Sequence, residues 1–345
     1  MTKIKHYDLP LSVRSVRSGR SEKLKSFFSP MLATLHDQPF DDAGWIFEVK
    51  WDGYRAVAET GKNIRLYSRN GLSFLSLYHP VAKALEKIKV NAILDGEIVV
   101  LNKKNKPDFQ KLQQFREHSG LKIKYYIFDC LSVNGKSITH LPLMERKKIV
   151  RDLIPGNDSV LQYSDHVAEA GKEVFKHAIA MDLEGIIAKR ADSTYSPGKR
   201  SSDWLKIKNH NTQEAIIAGY TEPRGSRSYF GALLLAIMKK GKLAYIGHTG
   251  TGFTEKTLKD LHAKLQPLRR ESSPFETKIP LNGKVTWVEP VLVCNIKFTE
   301  MTQDGILRHP VFQGLRIDKS SKEVDRLDVP RKNKRPRERI HTNPK

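Results

Sequence analysis

The chain has 345 residues, with 60 Lys and Arg against 38 Asp and Glu and a formal net charge of +22. That length supports two domains, each with its own core, and that charge predicts a large anionic partner, nucleic acid ahead of an acidic membrane surface. No apolar run reaches the length of a membrane span, no h-region follows the basic N-terminus, and two distant cysteines, Cys130 and Cys294, cannot build a four-cysteine zinc site. Their apolar neighbours mark them as buried thiols, so the expectation is a reduced, cytoplasmic, nucleoid-associated protein with no membrane partner.

In chain order, residues 1–26 read as a basic arm rich in Ser and Arg. From 27 to 212 the pattern is α+β: strand-like runs at Trp45–Val49, Ile64–Ser68, Ala92–Leu101, Tyr125–Leu131, Gly185–Lys189 and Trp204–Lys208 alternate with helical spacing over Tyr78–Lys87 and His166–Met181. From 213 to 325 come short strands separated by turn signals, with one helix over Thr254–Leu268. That pattern predicts a small β-barrel of the oligonucleotide-binding (OB) type. Residues 326–345 are polar, basic and proline-containing, and read as a solvated tail.

The chemistry starts at EVKWDGYRA, residues 48–56, where Lys50 stands at the end of an apolar strand and Gly53 offers a turn. An ammonium there must be paired or must lose its proton, and a lysine without its proton is a nucleophile. On these residues alone, a lysine that snorkels out to pair with Asp52 is the favoured reading. Four later stretches alter the balance. In ILDGEIVV, Asp95 and Glu97 interrupt an apolar strand, a costly arrangement unless they meet a cation. YYIFDCL ends an aromatic strand on Phe128 and Asp129, DLEGIIAKR sets Glu184 before a glycine, and DWLKIKN presents Lys206 and Lys208 on one strand face. Each alone has a plain alternative, such as an ion pair, a core aromatic or a solvated edge. Together they describe a pocket for a nucleoside triphosphate and a metal, with Lys50 as nucleophile.

These stretches resemble the ordered motifs of the covalent nucleotidyltransferases, the superfamily of DNA ligases, RNA ligases and capping enzymes. Lys50-x-Asp-Gly-x-Arg55 matches the nucleophile motif, and Ser68–Gly71, Leu94–Glu97, Tyr126–Asp129, Glu184–Arg190 and Trp204–Lys208 follow in the same order, with Leu307–Lys319 resembling the last motif. The wording is nearest to the ligase module of bacterial ligase D, the ATP-dependent DNA ligase of non-homologous end joining. The resemblance implies an ATP-grasp-like adenylation (nucleotidyltransferase) domain followed by an OB-fold domain. It implies that Lys50 becomes a lysyl-AMP, that Arg55 and Glu97 hold the ribose side, that Phe128 stacks on adenine and that Glu48 reads the adenine amino group. Lys206 and Lys208 would contact the α-phosphate. Glu184, with Glu97, would hold a divalent ion, Mg2+ or Mn2+. Arg308, Arg316, Asp318 and Lys319 would enter on domain closure and orient pyrophosphate, while Arg69 and Asn70 would meet DNA backbone. The cations Arg55, Lys206 and Lys208, together with bound metal, are expected to depress the pKa of Lys50 by like-charge repulsion.

The implied activity is ATP-dependent sealing of 5′-phosphate/3′-hydroxyl nicks or broken ends in double-stranded DNA by a monomer, with bacterial Ku as an expected partner. Within the superfamily, RNA joining or guanylyl transfer is the alternative; outside it, a nucleic-acid-binding module that has lost its chemistry. NAD-dependent ligases need an N-terminal nicotinamide module and a zinc finger, whereas only residues 1–49 precede Lys50 here.

Overall fold

The computed structural model of the chain describes residues 28–115, 120–223, 225, 227–279 and 283–325; the expected arm at 1–26 and tail at 326–345 lie outside them. The first half contributes strands β1 (Leu32–Leu35), β2 (Asp42–Val49), β3 (Tyr54–Glu59), β4 (Arg65–Ser68), β5 (Ala92–Leu101), β6 (Lys122–Val133), β7 (Lys136–Ser137), β8 (Leu161–Tyr163), β9 (His166–Glu169), β10 (Gly185–Arg190) and β11 (Arg200–Lys208). Helices α1 (His79–Leu85), α2 (Phe109–Gln113), α3 (Leu143–Leu153) and α4 (Gly171–Ala180) connect them. The strands form two sheets, ordered β1-β11-β10-β2-β9 and β4-β3-β5-β6-β7, with β8 beside β6.

The two-residue period of a strand decides which side chains meet between these sheets. In β3 and β5, Tyr54, Ala56, Ala58, Leu94, Ile98 and Val100 point to one face and pack with Val81, Ala84 and Leu85 of α1 and Ile149 and Val150 of α3. In β2, β10 and β11, Phe47, Ile186, Ala188 and Ile207 point outward and pack with Ala178 of α4. The intervening residues therefore face inward. At one end of the gap they form a small apolar seal of Met31, Val57, Tyr67, Ile93, Leu131, Tyr195 and Trp204, and beyond it a polar pocket.

The helical spacing read over His166–Met181 begins as strand. His166–Glu169 forms β9 and pairs with β2, with His166 opposite Glu48. The chain then turns at Glu169, whose φ is +67°, before α4 begins. A side chain at Gly171 would put its Cβ 2.2 Å from the Phe40 carbonyl, so the helix can start there only on glycine.

The second half contributes β12 (Asn211–Thr221), β13 (Leu233–Lys239), β14 (Lys242–Thr249), β15 (Arg269–Arg270), β16 (Val285–Val288), β17 (Val293–Phe298), β18 (Glu300–Met301), β19 (Leu307–Arg308) and β20 (Val311–Leu315). β12 is its spine. One edge pairs with β13, and the other pairs first with β17 along Asn211–Ile216 and then with β16 along Gly219–Thr221. A strand shared in this way must bend, and a parallel bridge from Thr251 to Val311 brings the far edge round. Helix α5 (Glu255–Leu265) starts on Thr254, whose hydroxyl accepts from the Thr257 amide at 3.1 Å, and lays Leu258, Leu261 and Leu265 into the barrel core. Both cysteines are buried free thiols. Among the described residues no helix is long and apolar enough to cross a membrane.

Candidate active site

The floor of the pocket is a buried carboxylate held by two buried amines. Glu48, in β2, receives Lys147 Nζ at 2.6 Å, Lys189 Nζ at 3.0 Å and the Ser164 hydroxyl at 3.3 Å. Burial favours the neutral acid, but the two lysines overcome it and hold the carboxyl below its ordinary range. Lys189 Nζ also lies 4.3 Å from the ring centres of both Phe128 and Trp204. Burial, outweighing Glu48, pushes that ammonium down to about 8. Arg55, on the neighbouring sheet, forks onto Asp95 at 2.9 and 2.6 Å and reaches the Met31 carbonyl at 2.6 Å, with Phe128 5.4 Å from its guanidinium carbon. The carboxylate that broke the apolar pattern of β5 at Asp95 thus meets its cation, and the Tyr195 hydroxyl donates to it at 2.6 Å.

Lys50 stands where the two sheets converge. Its amide donates to the Gly185 carbonyl at 3.0 Å, which ties the residue after β2 to the start of β10. Its ammonium pairs with Glu184, and Asp52 and Glu97 add to the negative field. Burial pulls the Lys50 pKa down, yet these carboxylates more than reverse it, and the group sits above its ordinary value. The depression expected from Arg55, Lys206, Lys208 and a bound metal is not produced by these side chains alone: Glu184, Asp52 and Glu97 outweigh them, and Lys50 is an ion-paired ammonium. Glu97, opposite Arg55 in the β3–β5 ladder, is pushed up to about 8 by burial against the pull of Arg316, Lys50 and Arg55. Asp52 is pushed up to about 7 by burial and by Glu184. Lys206 and Lys208 line the same pocket from β11, and Lys208 Nζ donates to the Thr212 carbonyl at 2.9 Å.

Glycines make this convergence possible. A Cβ on Gly53 would lie 2.1 Å from the Ile98 carbonyl, and one on Gly185 would lie 2.1 Å from the Ile207 carbonyl, so the chain after Lys50 and the chain after Glu184 close on their neighbours only because those positions have no side chain.

The second half supplies the roof. Arg316 and Lys319 line the pocket with Asp318 between them. Arg316 forks onto Asp318 at 2.9 and 2.7 Å, and its guanidinium carbon lies 5.7 Å from the Tyr54 ring and 5.5 Å from the Phe109 ring of the first half. Lys319 pairs with Glu214. The Tyr54 hydroxyl and the Gln113 amide both donate to the Leu315 carbonyl, at 3.0 and 2.7 Å. Arg69 lines the pocket and pairs with Glu323, while Asn70 Nδ2 donates to Glu323 at 2.6 Å and to the Asp318 carbonyl at 2.9 Å. Arg308 stands apart: its side chain is 59% exposed on β19, paired with Glu300 at 3.1 Å, outside the pocket lining. The structure therefore brings together Glu48, Lys50, Arg55, Glu97, Phe128, Glu184, Lys206, Lys208, Arg316 and Lys319, with Arg69 and Asn70 at the rim.

A sequence model described as ATP dependent DNA ligase domain matches residues 30–208, and one described as ATP dependent DNA ligase C terminal region matches residues 226–319. The chain belongs to the ATP-dependent DNA ligases. This ligase is 39% identical over 321 residues to the multifunctional non-homologous end joining protein LigD of Pseudomonas aeruginosa, covering 90% of the chain and 38% of that protein. It is 31% identical over 294 residues to the SPbeta prophage-derived DNA ligase-like protein LigB of Bacillus subtilis, covering 84% of the chain and 100% of that protein. The solved structure of mycobacterial DNA ligase D complexed with ATP and MES superposes with a TM-score of 0.66 at 33% identity, covering 87% of this chain and 98% of that one. The architecture of the ligase is accordingly an adenylation domain followed by an OB-fold domain. It spans about two fifths of the length of the LigD relatives, at 38% and 39% of the Pseudomonas aeruginosa and Mycolicibacterium smegmatis proteins.

Sequence reasoning missed Lys147, Lys189, Trp204 and Glu323 as site residues. Lys189 and Trp204 were within reach, because they share strand faces with Ile187 and with Lys206 in stretches already singled out. Lys147 carries no such signal.

Proposed function

We propose that the ligase seals 5′-phosphate/3′-hydroxyl breaks in double-stranded DNA through a lysyl-AMP on Lys50. The observation that carries this reading is the convergence of Lys50 with Glu184, Glu97, Lys206 and Lys208 in one pocket roofed by Arg316 and Lys319. In the first step the Lys50 ammonium gives up a proton to solvent, and the free amine attacks the α-phosphorus of ATP. A P–N bond forms as the P–O bond to pyrophosphate breaks. Lys206 and Lys208 would stabilise charge on the α-phosphate, and Arg316 and Lys319 would orient the departing pyrophosphate. AMP then passes to the 5′-phosphate of the break, and the 3′-hydroxyl displaces it.

At the base end, Phe128 offers a face to adenine, Glu48 an acceptor for its amino group, and Arg55 and Glu97 the ribose contacts. Among the described residues no three His, Cys, Asp or Glu side chains form a self-contained metal site, which fits a hard cation that relies on substrate oxygens for most of its ligands. Glu97 and Glu184 would hold it. Mg2+ or Mn2+ there would draw the two carboxylates away from the Lys50 ammonium and neutralise triphosphate charge. The LigD relatives support a role in end joining, with bacterial Ku as the partner to test.

The test is incubation of the purified ligase with α-labelled ATP and Mg2+ without DNA, after pyrophosphate treatment to strip bound adenylate. Covalent label is expected on the wild-type protein and absent from Lys50→Ala. Label that persists in Lys50→Ala removes the mechanism; label from GTP in place of ATP removes the DNA-ligase reading.

A further inference from the structure

The turn after β4 presents two donors on a rigid frame. Ser68 Oγ accepts from the Asn70 amide at 3.3 Å and the Leu72 amide at 3.1 Å, and the Gly71 amide returns to the Ser68 carbonyl at 2.9 Å. Arg69 and Asn70 are thereby held side by side, and both deliver hydrogen bonds to one carboxylate, that of Glu323 in the OB-fold domain. Glu323 is itself fixed: with Ser320 it forms a capping box, Glu323 Oε1 accepting from the Ser320 amide at 3.3 Å. Two preorganised donors around a carboxylate of another domain make an anion site that is filled from within the molecule.

We propose that Glu323 stands in for a DNA phosphodiester on Arg69 and Asn70, so that closure of the OB-fold domain and binding of DNA compete for the same two side chains. The proposal rests on the reading that Arg69 and Asn70 contact DNA backbone. A phosphodiester oxygen and a carboxylate oxygen carry similar charge and accept the same donors, and an arginine that pairs with one cannot at the same moment pair with the other. In the closed form, with Arg316 and Lys319 over the pocket, the site that would grip DNA is occupied. In an open form it is released. Glu323 thus couples the order of events: self-adenylation while it is seated, DNA binding once it leaves.

The experiment uses the full chain stripped of adenylate by pyrophosphate, and a fluorescent nicked duplex ending in a 3′-dideoxynucleotide, with binding read by anisotropy without ATP or metal. Self-adenylation is timed separately with α-labelled ATP. Glu323→Gln keeps the capping box, since Gln serves at that position, but removes the charge. Glu173→Gln, on the outer helix α4, controls for the lost negative charge alone. Glu323→Gln is expected to tighten DNA binding about threefold beyond the control, the worth of one part-exposed ion pair, and to slow self-adenylation by a similar factor. Arg69→Ala is expected to weaken DNA binding. If Arg69→Ala weakens binding while Glu323→Gln matches the control in both assays, the proposal fails and the DNA reading of Arg69 stands. If Arg69→Ala leaves DNA affinity unchanged, that reading fails and the proposal falls with it.

Discussion

Lys147 is fully buried, with Glu48 Oε1 2.6 Å and the Ser164 carbonyl 2.9 Å from its ammonium and the Tyr163 ring centre at 4.6 Å. Removing one partner of such a pair leaves the other charge in a medium that cannot solvate it. Lys147→Met is therefore expected to lower stability by about 3 kcal/mol, measured as a shift in the urea midpoint at unchanged slope. An unshifted midpoint would show that Lys189 alone satisfies Glu48. The same residue marks a limit of reading from sequence. Lys50, Asp95 and Glu97 were legible because each interrupts an apolar strand, where a charge must have a reason. Lys147 lies in LMERKKIVRDL among other charges, and helical spacing gives no hint that one of its lysines points at a carboxylate 99 positions earlier. Neither could the sequence foretell the protonation of Lys50. The lysines and the arginine expected to depress it are present, but Glu184 pairs with it directly.

At the scale of elements, the ion pairs between β12 and the segment after β20 set a pH dependence on closure. Burial, aided by Arg316 and Arg69 and opposed by Glu214, pushes Lys319 from 10.5 down to about 8 in the closed form. In an open form, where water solvates it, the ammonium keeps its ordinary value. The closed form thus binds fewer protons between about pH 8 and 10.5, and raising the pH through that window favours closure even as the pairing with Glu214 is lost. Small-angle scattering of the ligand-free protein is expected to give a falling radius of gyration across that range, and Lys319→Met is expected to abolish the trend. A radius that rises with pH would reverse the sign of the argument. Elements themselves were legible unevenly. β5 spans Ala92–Leu101 as its apolar run implies even with Asp95 and Glu97 inside it, because a strand buried on both faces leaves that trace. β9 was misread as the start of α4, since its four residues carry a pattern that either state accepts, and only pairing with β2 decides.

For the whole molecule, the charge of +22 is the dominant long-range feature. A ligase must accept any bases at a break, so affinity for a nicked duplex is expected to come from phosphates and to fall about a thousandfold or more between 50 and 200 mM salt if roughly six are contacted. The slope of log affinity against log salt, measured by anisotropy, checks this. A flat slope would remove the electrostatic account, and a strong dependence on the sequence flanking the nick would remove the backbone-only account.

Only Asn209 and His210 separate β11 from β12. Asn209 is pinned on the adenylation side, its amide to the Glu184 carbonyl at 2.9 Å and its side chain to the Leu183 carbonyl at 3.0 Å. Any swing of the barrel must therefore take its axis through or beside this dipeptide, next to Lys208 and Glu184. Mechanically the roof is a lever and these residues its fulcrum. Arg316 and Lys319 ride on the moving arm, Lys319 tied to Glu214 four residues past the fulcrum, while Lys206, Lys208 and Lys50 stay with the adenylation domain. On the roles proposed above, a machine that must serve several successive displacements gains from that layout, since the groups it would need in each stay in place and those it would need once ride away.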